Sequence, residues 1–282
     1  MNLVLQSPSL ERVDVDAVAD GARPTAIAQV SPRAYRLRGA HPHDSVAKLC
    51  EARRIDYAWV EEGRRLADLK LLAMDMDSTL ITIECIDELG TLAGKGAEIA
   101  AITEAAMRGE IADYKESLRR RVVLLAGMEV SALEKVYREK LRLTPGAEAL
   151  LEACKKHGVK TLLVSGGFTF FTDRVRDRLG FDFTRSNVLD IADGKLTGRM
   201  VDQPWGDICD GAEKRKMLLE TCAALGLDPR RAIAVGDGAN DLPMMAAAGL
   251  SVAYHAKPKV REAAIVAIDE GGLDRLLEVV RP

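Results

Sequence analysis

At 282 residues the chain can form one large domain with a smaller one, or two of medium size, and its 48% apolar content supports a buried core. Forty basic side chains against 43 acidic ones give a formal charge of −3, a balance that argues against a nucleic-acid binder. Aromatics at 4% argue against a stacking surface for bases or sugars, and five scattered cysteines without a C-x-x-C pair outline neither a zinc site nor a disulfide framework.

Charged residues interrupt the N-terminus by Glu11 and Arg12, so no signal peptide is read there. No apolar run approaches the ~20 residues that span a bilayer, which makes a cytoplasmic protein with idle thiols and no membrane partner the expectation. Residues 1–68 read as a small separate α+β unit. A strand at Leu3–Leu5 leads to a helix from about Pro8 to Ala19, then to an extended stretch over Thr25–Leu37 that Ser31-Pro32 breaks. A second helix runs from Asp44, a candidate N-cap, to Arg54, and a strand follows at Tyr57–Val60. Such βαβαβ-like material fits a ferredoxin-like unit. The His41-Pro42-His43-Asp44 run reads as a polar loop entering that second helix rather than a metal site, because no further ligand is near.

From Lys70 the pattern changes. Leu71–Met76 is an apolar run that reads as a buried central strand, and 84–142 is rich in Ala, Leu, Glu, Lys and Arg, hence several helices inserted after that strand. A helix after Pro145-Gly146 precedes a buried strand at Val159–Val164. Leu189–Met200 reads as a hairpin turning at Asp193-Gly194. A helix over Ala212–Leu225 leads to a strand at Ala232–Val235, with further short strands at Leu250–Ala253 and Ala264–Ile268. Strands alternating with helices predict an α/β doubly wound parallel sheet.

Three polar runs follow predicted strands of this sheet, so they converge at one sheet edge. In Asp75-Met76-Asp77-Ser78-Thr79, residues two apart on a strand face the same side, and both carboxylates can project into one crevice. Phosphoryl transfer uses such a pair: one carboxylate attacks phosphorus and a second carboxyl protonates the leaving alcohol. A solvated loop with two acids carries the same letters. In Gly236-Asp237-Gly238-Ala239-Asn240-Asp241, Asp237 and Asp241 can supply or orient ligands for the hard cation that anion-on-anion attack requires, and Asp241 can equally cap the next helix. Val164-Ser165-Gly166-Gly167-Phe168 offers a hydroxyl and successive N–H groups as a phosphate cradle at a strand-to-helix turn, or is a plain tight turn. Lys214, early in a helix, can offset phosphoryl charge, a role with no standing apart from the other three.

These runs, in this order and over residues 70–282, resemble the four motifs of the haloacid dehalogenase superfamily. Asp-Met-Asp-Ser-Thr-Leu, Ser-Gly-Gly-Phe and Gly-Asp-Gly-Ala-Asn-Asp are closest to its phosphoserine phosphatases. The resemblance implies a Rossmann-like core at 69–82 and 143–282, a helical cap inserted at 83–142, and hydrolysis of phosphoserine as the last step of L-serine biosynthesis. It assigns Asp75 as nucleophile and Mg²⁺ ligand, and Asp77 as general acid and base that also offers its carbonyl to the metal. Asp237 becomes the third metal ligand, with Asp241 supporting the metal's waters. Ser165, Gly166, Lys214 and Asn240 hold the phosphate. In the cap, Glu84 would meet the substrate ammonium, Arg121 its carboxylate in a two-pronged contact, and Met107 and Tyr114 would line the pocket. The family often has Phe where Tyr114 stands. Arg119 to Arg121 read equally well as a solvated helix face. Residues 1–68 are short for the ACT-like domain of longer relatives and are expected to be ACT-like or a dimerisation unit, with a homodimer through them. Transfer of the phosphoryl group to another alcohol, and a non-catalytic amino-acid sensor, are the competing readings.

Overall fold

A computed structural model describes residues 1–108 and 110–280, without the side chain of Met107. Its first strand, β1 (Asn2–Gln6), is followed by α1 (Arg12–Ala22), β2 (Ala26–Ser31), β3 (Ala34–Arg38), α2 (Asp44–Ala52) and β4 (Asp56–Val60). All pairings are antiparallel in the order β2-β3-β1-β4. The expected βαβαβ run therefore becomes βαββαβ, the split βαβ arrangement, because Pro32 and Arg33 turn the extended stretch into a hairpin. Asp44 does not cap α2. His43 does, its Nδ1 accepting the Ser45 N–H at 3.2 Å, which identifies the His-Pro-His-Asp run as a helix entry.

The chain continues through β5 (Leu71–Met74) into four helices, α3 (Cys85–Leu92), α4 (Gly96–Met107), α5 (Tyr114–Val123) and α6 (Ser131–Glu139). It then runs through α7 (Ala147–Lys156), β6 (Lys160–Phe168), α8 (Thr169–Leu179), β7 (Phe183–Ala192) and β8 (Lys195–Val201). The last third holds α9 (Gly211–Ala224), β9 (Ala232–Gly236), α10 (Leu242–Ala247), β10 (Leu250–Tyr254), α11 (Pro258–Ala263), β11 (Val266–Ile268) and α12 (Leu276–Val280). Six strands pair in parallel in the order β11-β10-β9-β5-β6-β7, and β8 closes that side as the antiparallel arm of the expected hairpin. Its turn residues Asp193 and Gly194 both have positive φ, 50° and 76°, as the favoured two-residue hairpin turn demands.

Side-chain alternation makes this sheet doubly wound. Leu72 and Met74 of β5, with Ile233 and Val235 of β9, enter one apolar core; Leu71, Ala73, Ala232 and Ala234 enter the other. Ile99, Leu118, Val122, Leu133 and Val136 of the inserted helices belong to the first core, so the insertion is packed onto the sheet rather than tethered to it. Chain order reverses at β5, with β6 and β7 on one side and β9 to β11 on the other. That reversal places a crevice at the carboxyl ends of β5, β6 and β9.

Residues 1–68 are less separate than the sequence leads one to expect. β4 pairs antiparallel with β11 at Ala58 and Val266, giving one eleven-stranded sheet. Leu3, Leu5 and Leu37 form a small core with Val15 and Val18 of α1, whereas Val4, Ala58 and Val60 join the main core with Leu276, Val279 and Val280 of α12. Buried Arg36 donates to the carbonyls of Glu278 and Val279 at 3.1 and 2.9 Å, satisfying the C-terminal turn of α12. Among the described residues no helix is long and apolar enough to cross a membrane.

Candidate active site

Met74 is in register with Val235 of β9 and Leu163 of β6, so the three strands bring Asp75, Gly236 and Val164 to one level. The Asp75 N–H still reaches the Val235 carbonyl at 3.1 Å, after which the chain leaves the sheet in a wide turn over Met76–Leu80. That turn is closed by the Ile81 N–H on the Met76 carbonyl at 3.0 Å and holds Ser78 at φ 54°. The strand alternation read from the sequence is thus corrected: neither Asp75 nor Asp77 lies in β5, and the turn aims them. Hydrogen bonds replace the lost ladder. Asp75 Oδ1 accepts the Met76 N–H at 2.7 Å, and Asp77 Oδ1 accepts the Cys85 N–H, at the start of α3, at 2.8 Å. Asp77 Oδ2 accepts the Ser165 hydroxyl at 3.1 Å.

Ser165-Gly166-Gly167 is not a turn. β6 runs on through Phe168, α8 begins at Thr169, and the ladder with β7 breaks register between Val164 and Phe168. The glycines serve close approach. A Cβ on Gly167 would sit 2.6 Å from Asp77 Oδ2, and one on Gly166 would strike the Tyr114 hydroxyl. Ser165 Oγ also accepts the Gly167 N–H at 2.8 Å. Asn187 anchors this strand end, with Nδ2 donating to the Gly166 carbonyl at 2.7 Å and Oδ1 accepting the Cys209 N–H at 2.8 Å.

Beneath them lies Lys214, fully buried on α9, its Nζ 2.7 Å from both Asp75 Oδ2 and Asp241 Oδ1. Asp241 makes no side-chain cap for α10; its Oδ2 accepts the N–H groups of Asp237 and Gly238 at 3.2 and 3.0 Å. Thr79 donates to Asp237 Oδ1 at 2.8 Å. Carboxylate oxygens of Asp75, Asp237 and Asp241 come within 4.8 Å of one another, the one such group of three among the described residues.

Three acidic side chains face one ammonium here, and burial and charge shift their proton affinities. Burial pushes Asp75 well above the usual carboxylate range; Lys214 opposes this, and the charges of Asp241 and Asp237 add to it. Burial alone would lower Lys214, but Asp241 and Asp75 hold it firmly charged. Asp237 is pushed to about 6 by burial and then by Asp241. Asp77 is raised by burial, against the opposing hydrogen bonds from Cys85 and Ser165. A surplus of buried negative charge on hard oxygen donors fits a small divalent cation.

Over this floor opens a cavity of about 760 Å³, whose roof includes Glu84, Tyr114 and Arg121, with Asp75, Asp77, Gly166, Asp237 and Asn240 below. Glu84 Oε1 accepts the Ser78 hydroxyl at 2.7 Å. Glu84 presents area to solvent, yet its carboxyl sits in a concavity where desolvation, then the charge of Asp77, push it up to about 8. Arg121 is half-buried, with Nε 3.4 Å from the Ser117 carbonyl. Met107 ends α4, and its side chain is outside the described residues. The structure therefore gathers every other residue singled out from the sequence: Ser165, Lys214 and Asp241 under the cavity, the rest on its walls.

Sequence reasoning missed Thr79, Asp87 and Lys257. Asp87 lines the cavity one helical turn from Glu84; burial raises it and the charge of Arg121 opposes the rise. Its i, i+3 spacing from Glu84 was the available signal. Lys257, also on the cavity wall with Lys259, follows β10, a fourth strand end at the same edge.

Chemically, the floor presents a carboxyl beside a fixed ammonium, a second carboxyl whose proton affinity burial raises, and a hydroxyl on the neighbouring strand. That set suits displacement at phosphorus. Residues 69–249 match the model of the haloacid dehalogenase-like hydrolases, and residues 3–45 that of a domain of unknown function. A phosphoserine phosphatase of Polaromonas sp. is 73% identical over 217 residues, 77% of this chain and 92% of the relative. A probable phosphoserine phosphatase from Vibrio cholerae, solved unliganded, superposes with a TM-score of 0.84 at 35% identity, covering 99% of this chain and 86% of that one. A phosphoserine phosphatase solved as a phospho-aspartyl intermediate analogue superposes with a TM-score of 0.70 at 35% identity, covering 76% of this chain and 99% of the other.

Proposed function

This chain belongs to the haloacid dehalogenase-like hydrolase family, and from that premise we propose that it hydrolyses O-phospho-L-serine to L-serine and phosphate through an aspartyl-phosphate on Asp75. The observation that carries the substrate is the pairing of an acid, Glu84, with a base, Arg121, on the roof of the cavity whose floor holds Asp75 and Asp77. A zwitterionic amino acid esterified to phosphate satisfies both ends at once.

In the first half-reaction an Asp75 oxygen attacks phosphorus as Asp77 donates its proton to the serine oxygen, which leaves as the alcohol. Burial of Asp77 raises its affinity for that proton. In the second, Asp77, now a carboxylate, takes a proton from the water that attacks the aspartyl-phosphate, and phosphate departs with Asp75 restored. Ser165, the Gly166 N–H, Lys214 and Asn240 hold the phosphoryl oxygens, while Asp241 fixes the Lys214 ammonium. Glu84 takes the substrate ammonium and Arg121 its carboxylate, and Met107 and Tyr114 line the pocket. Mg²⁺ fits the carboxylate surplus; Asp75, Asp237 and the Asp77 carbonyl would hold it, with Asp241 supporting its waters. The chemistry a bound Mg²⁺ supplies is compensation of the anionic charge between carboxylate and phosphate.

The same reading makes 83–142 a cap over a core of 69–82 and 143–282. It makes 1–68 an ACT-like or dimerisation unit of a cytoplasmic enzyme, which sedimentation of the whole chain tests through its mass. The decisive assay is phosphate release from a panel of phosphorylated metabolites with and without Mg²⁺. Phosphoserine should exceed simple aryl phosphates by orders of magnitude and depend on Mg²⁺; equal turnover across the panel would refute the substrate assignment.

A further inference from the structure

The helix that reads the substrate is held at its two ends by different physics. Past the C-terminal end of α5, the chain is hydrogen-bonded to the β7–β8 hairpin. The Gly127 N–H meets the Leu196 carbonyl at 2.8 Å, the Leu196 N–H the Met128 carbonyl at 2.8 Å, and the Val130 N–H the Gly194 carbonyl at 3.0 Å. Gly198 lets β8 approach the same stretch, since a Cβ there would sit 2.9 Å from that of Ala126. The N-terminal part of α5, whose Tyr114 lines the cavity, packs Leu118 into the main core and is also tied to the core by side-chain charges. Lys115 Nζ meets Asp207 Oδ1 at 2.6 Å, and an Arg119 nitrogen meets Asp207 Oδ2 at 2.6 Å. Lys115 also lies 3.8 Å from Asp210, the residue whose Oδ1 accepts the Glu213 N–H and caps α9.

Asp207 thus bridges two functional helices. On one side it grips α5 next to Tyr114 and within one turn of Arg121. On the other, three residues lead to the start of α9, which carries Lys214, and between them Cys209 is bonded to Asn187 and through it to Gly166. A cleft of about 250 Å³, lined by Arg119, Val122, Val123, Met200, Asp207 and Ile208, runs beside this contact. Both cations and Asp207 remain partly exposed. Exposed pairs are individually weak, and so can break and re-form within a catalytic cycle.

We propose that Asp207 is a positioning residue: with Lys115 and Arg119 it forms a reversible ionic latch that sets Tyr114 and Arg121 against the phosphate site. The proposal rests on the substrate reading above only for its kinetic arm. Asp207→Asn keeps an oxygen for the Ile208 N–H, which Asp207 Oδ1 accepts at 2.8 Å, and removes the charge. Two exposed pairs lost should raise KM for phosphoserine about three- to tenfold while kcat for an aryl phosphate changes less than about twofold. Amide hydrogen exchange over residues 111–123 should quicken by a similar factor, with β5 and β9 unchanged, and Asp207→Glu should recover most of both effects. The Lys115→Ala, Arg119→Ala double variant should reproduce the change from the other side. Unaltered exchange in both variants, or equal KM shifts on the two substrates, overturns the latch. Failure of the unsubstituted protein to act on phosphoserine at all would refute the substrate reading alone, because exchange still decides the latch.

Discussion

The floor and the roof of the cavity are built to different standards. On the floor, Asp75, Asp77, Ser165, Lys214 and Asp241 are buried and each is hydrogen-bonded or paired at 3.1 Å or less, anchored directly or nearly so to the ends of three parallel strands. On the roof, Glu84 is exposed and Arg121 and Tyr114 are half-buried, although their helices pack Leu89, Leu118 and Val122 into the main core. The difference follows from the chemistry. Charge that develops at phosphorus must find dipoles already in place, so the floor cannot reorganise. The roof must admit one molecule and release another, and stability spent there would slow exchange.

The comparison breaks first at the floor. Asp75→Asn should cut kcat at least about 10⁴-fold on every phosphate ester while leaving the thermal midpoint within a few degrees, because Asn keeps the acceptor for the Met76 N–H. More than one per cent residual turnover at saturating Mg²⁺ would remove Asp75 as nucleophile. Lys214→Met leaves Asp75 and Asp241 without their shared cation. A loss of about 3–5 kcal/mol in denaturant unfolding should accompany at least a 10³-fold fall in kcat. An unchanged unfolding midpoint would contradict the buried pairing.

Roof variants should behave otherwise. Arg121→Ala should raise KM for phosphoserine about 10- to 100-fold, the worth of a charge-assisted contact, yet leave an aryl phosphate within about twofold. Equal losses on both esters would end its carboxylate role. The smallest effect is expected where the two regions touch. Tyr114→Phe alone should change kcat/KM by less than about threefold. Gly166→Ala should cost about tenfold through collision with the Tyr114 hydroxyl, and adding Tyr114→Phe should restore part of it. Simple additivity in that cycle would mean the collision is not what Gly166 avoids.

Legibility in the sequence divides along the same line. The strands and the hairpin at Asp193-Gly194 could be read because alternation, breaker residues and turn chemistry are local. The floor motifs could be read because each continues an apolar run that forms a strand. What could not be read was how the side chains are aimed. The strand pattern promised two carboxylates on one face of β5, whereas the turn at Met76–Leu80 does the aiming. Asp241 reads as a carboxylate for a cation or as a helix cap; it makes no side-chain cap on α10 and is committed to Lys214 and two backbone N–H groups. Lys214 itself is an ordinary lysine until two carboxylates surround it. Asp207 and Asn187 carry no motif, and Thr79 lies inside one that gives no sign of its partner, because these partners lie 21 to 158 residues away.

By itself the sequence determined the order of elements, the polarity of each strand end and the kinds of groups gathered there, since these depend on neighbours along the chain. Only tertiary structure decided that residues 1–68 would extend the main sheet, through a single pairing of Ala58 with Val266, and that α5 would be pinned at one end and latched at the other. Such contacts depend on distances between segments far apart in the chain. Their energies come from desolvation and charge in a particular cavity, which no local pattern of residues encodes.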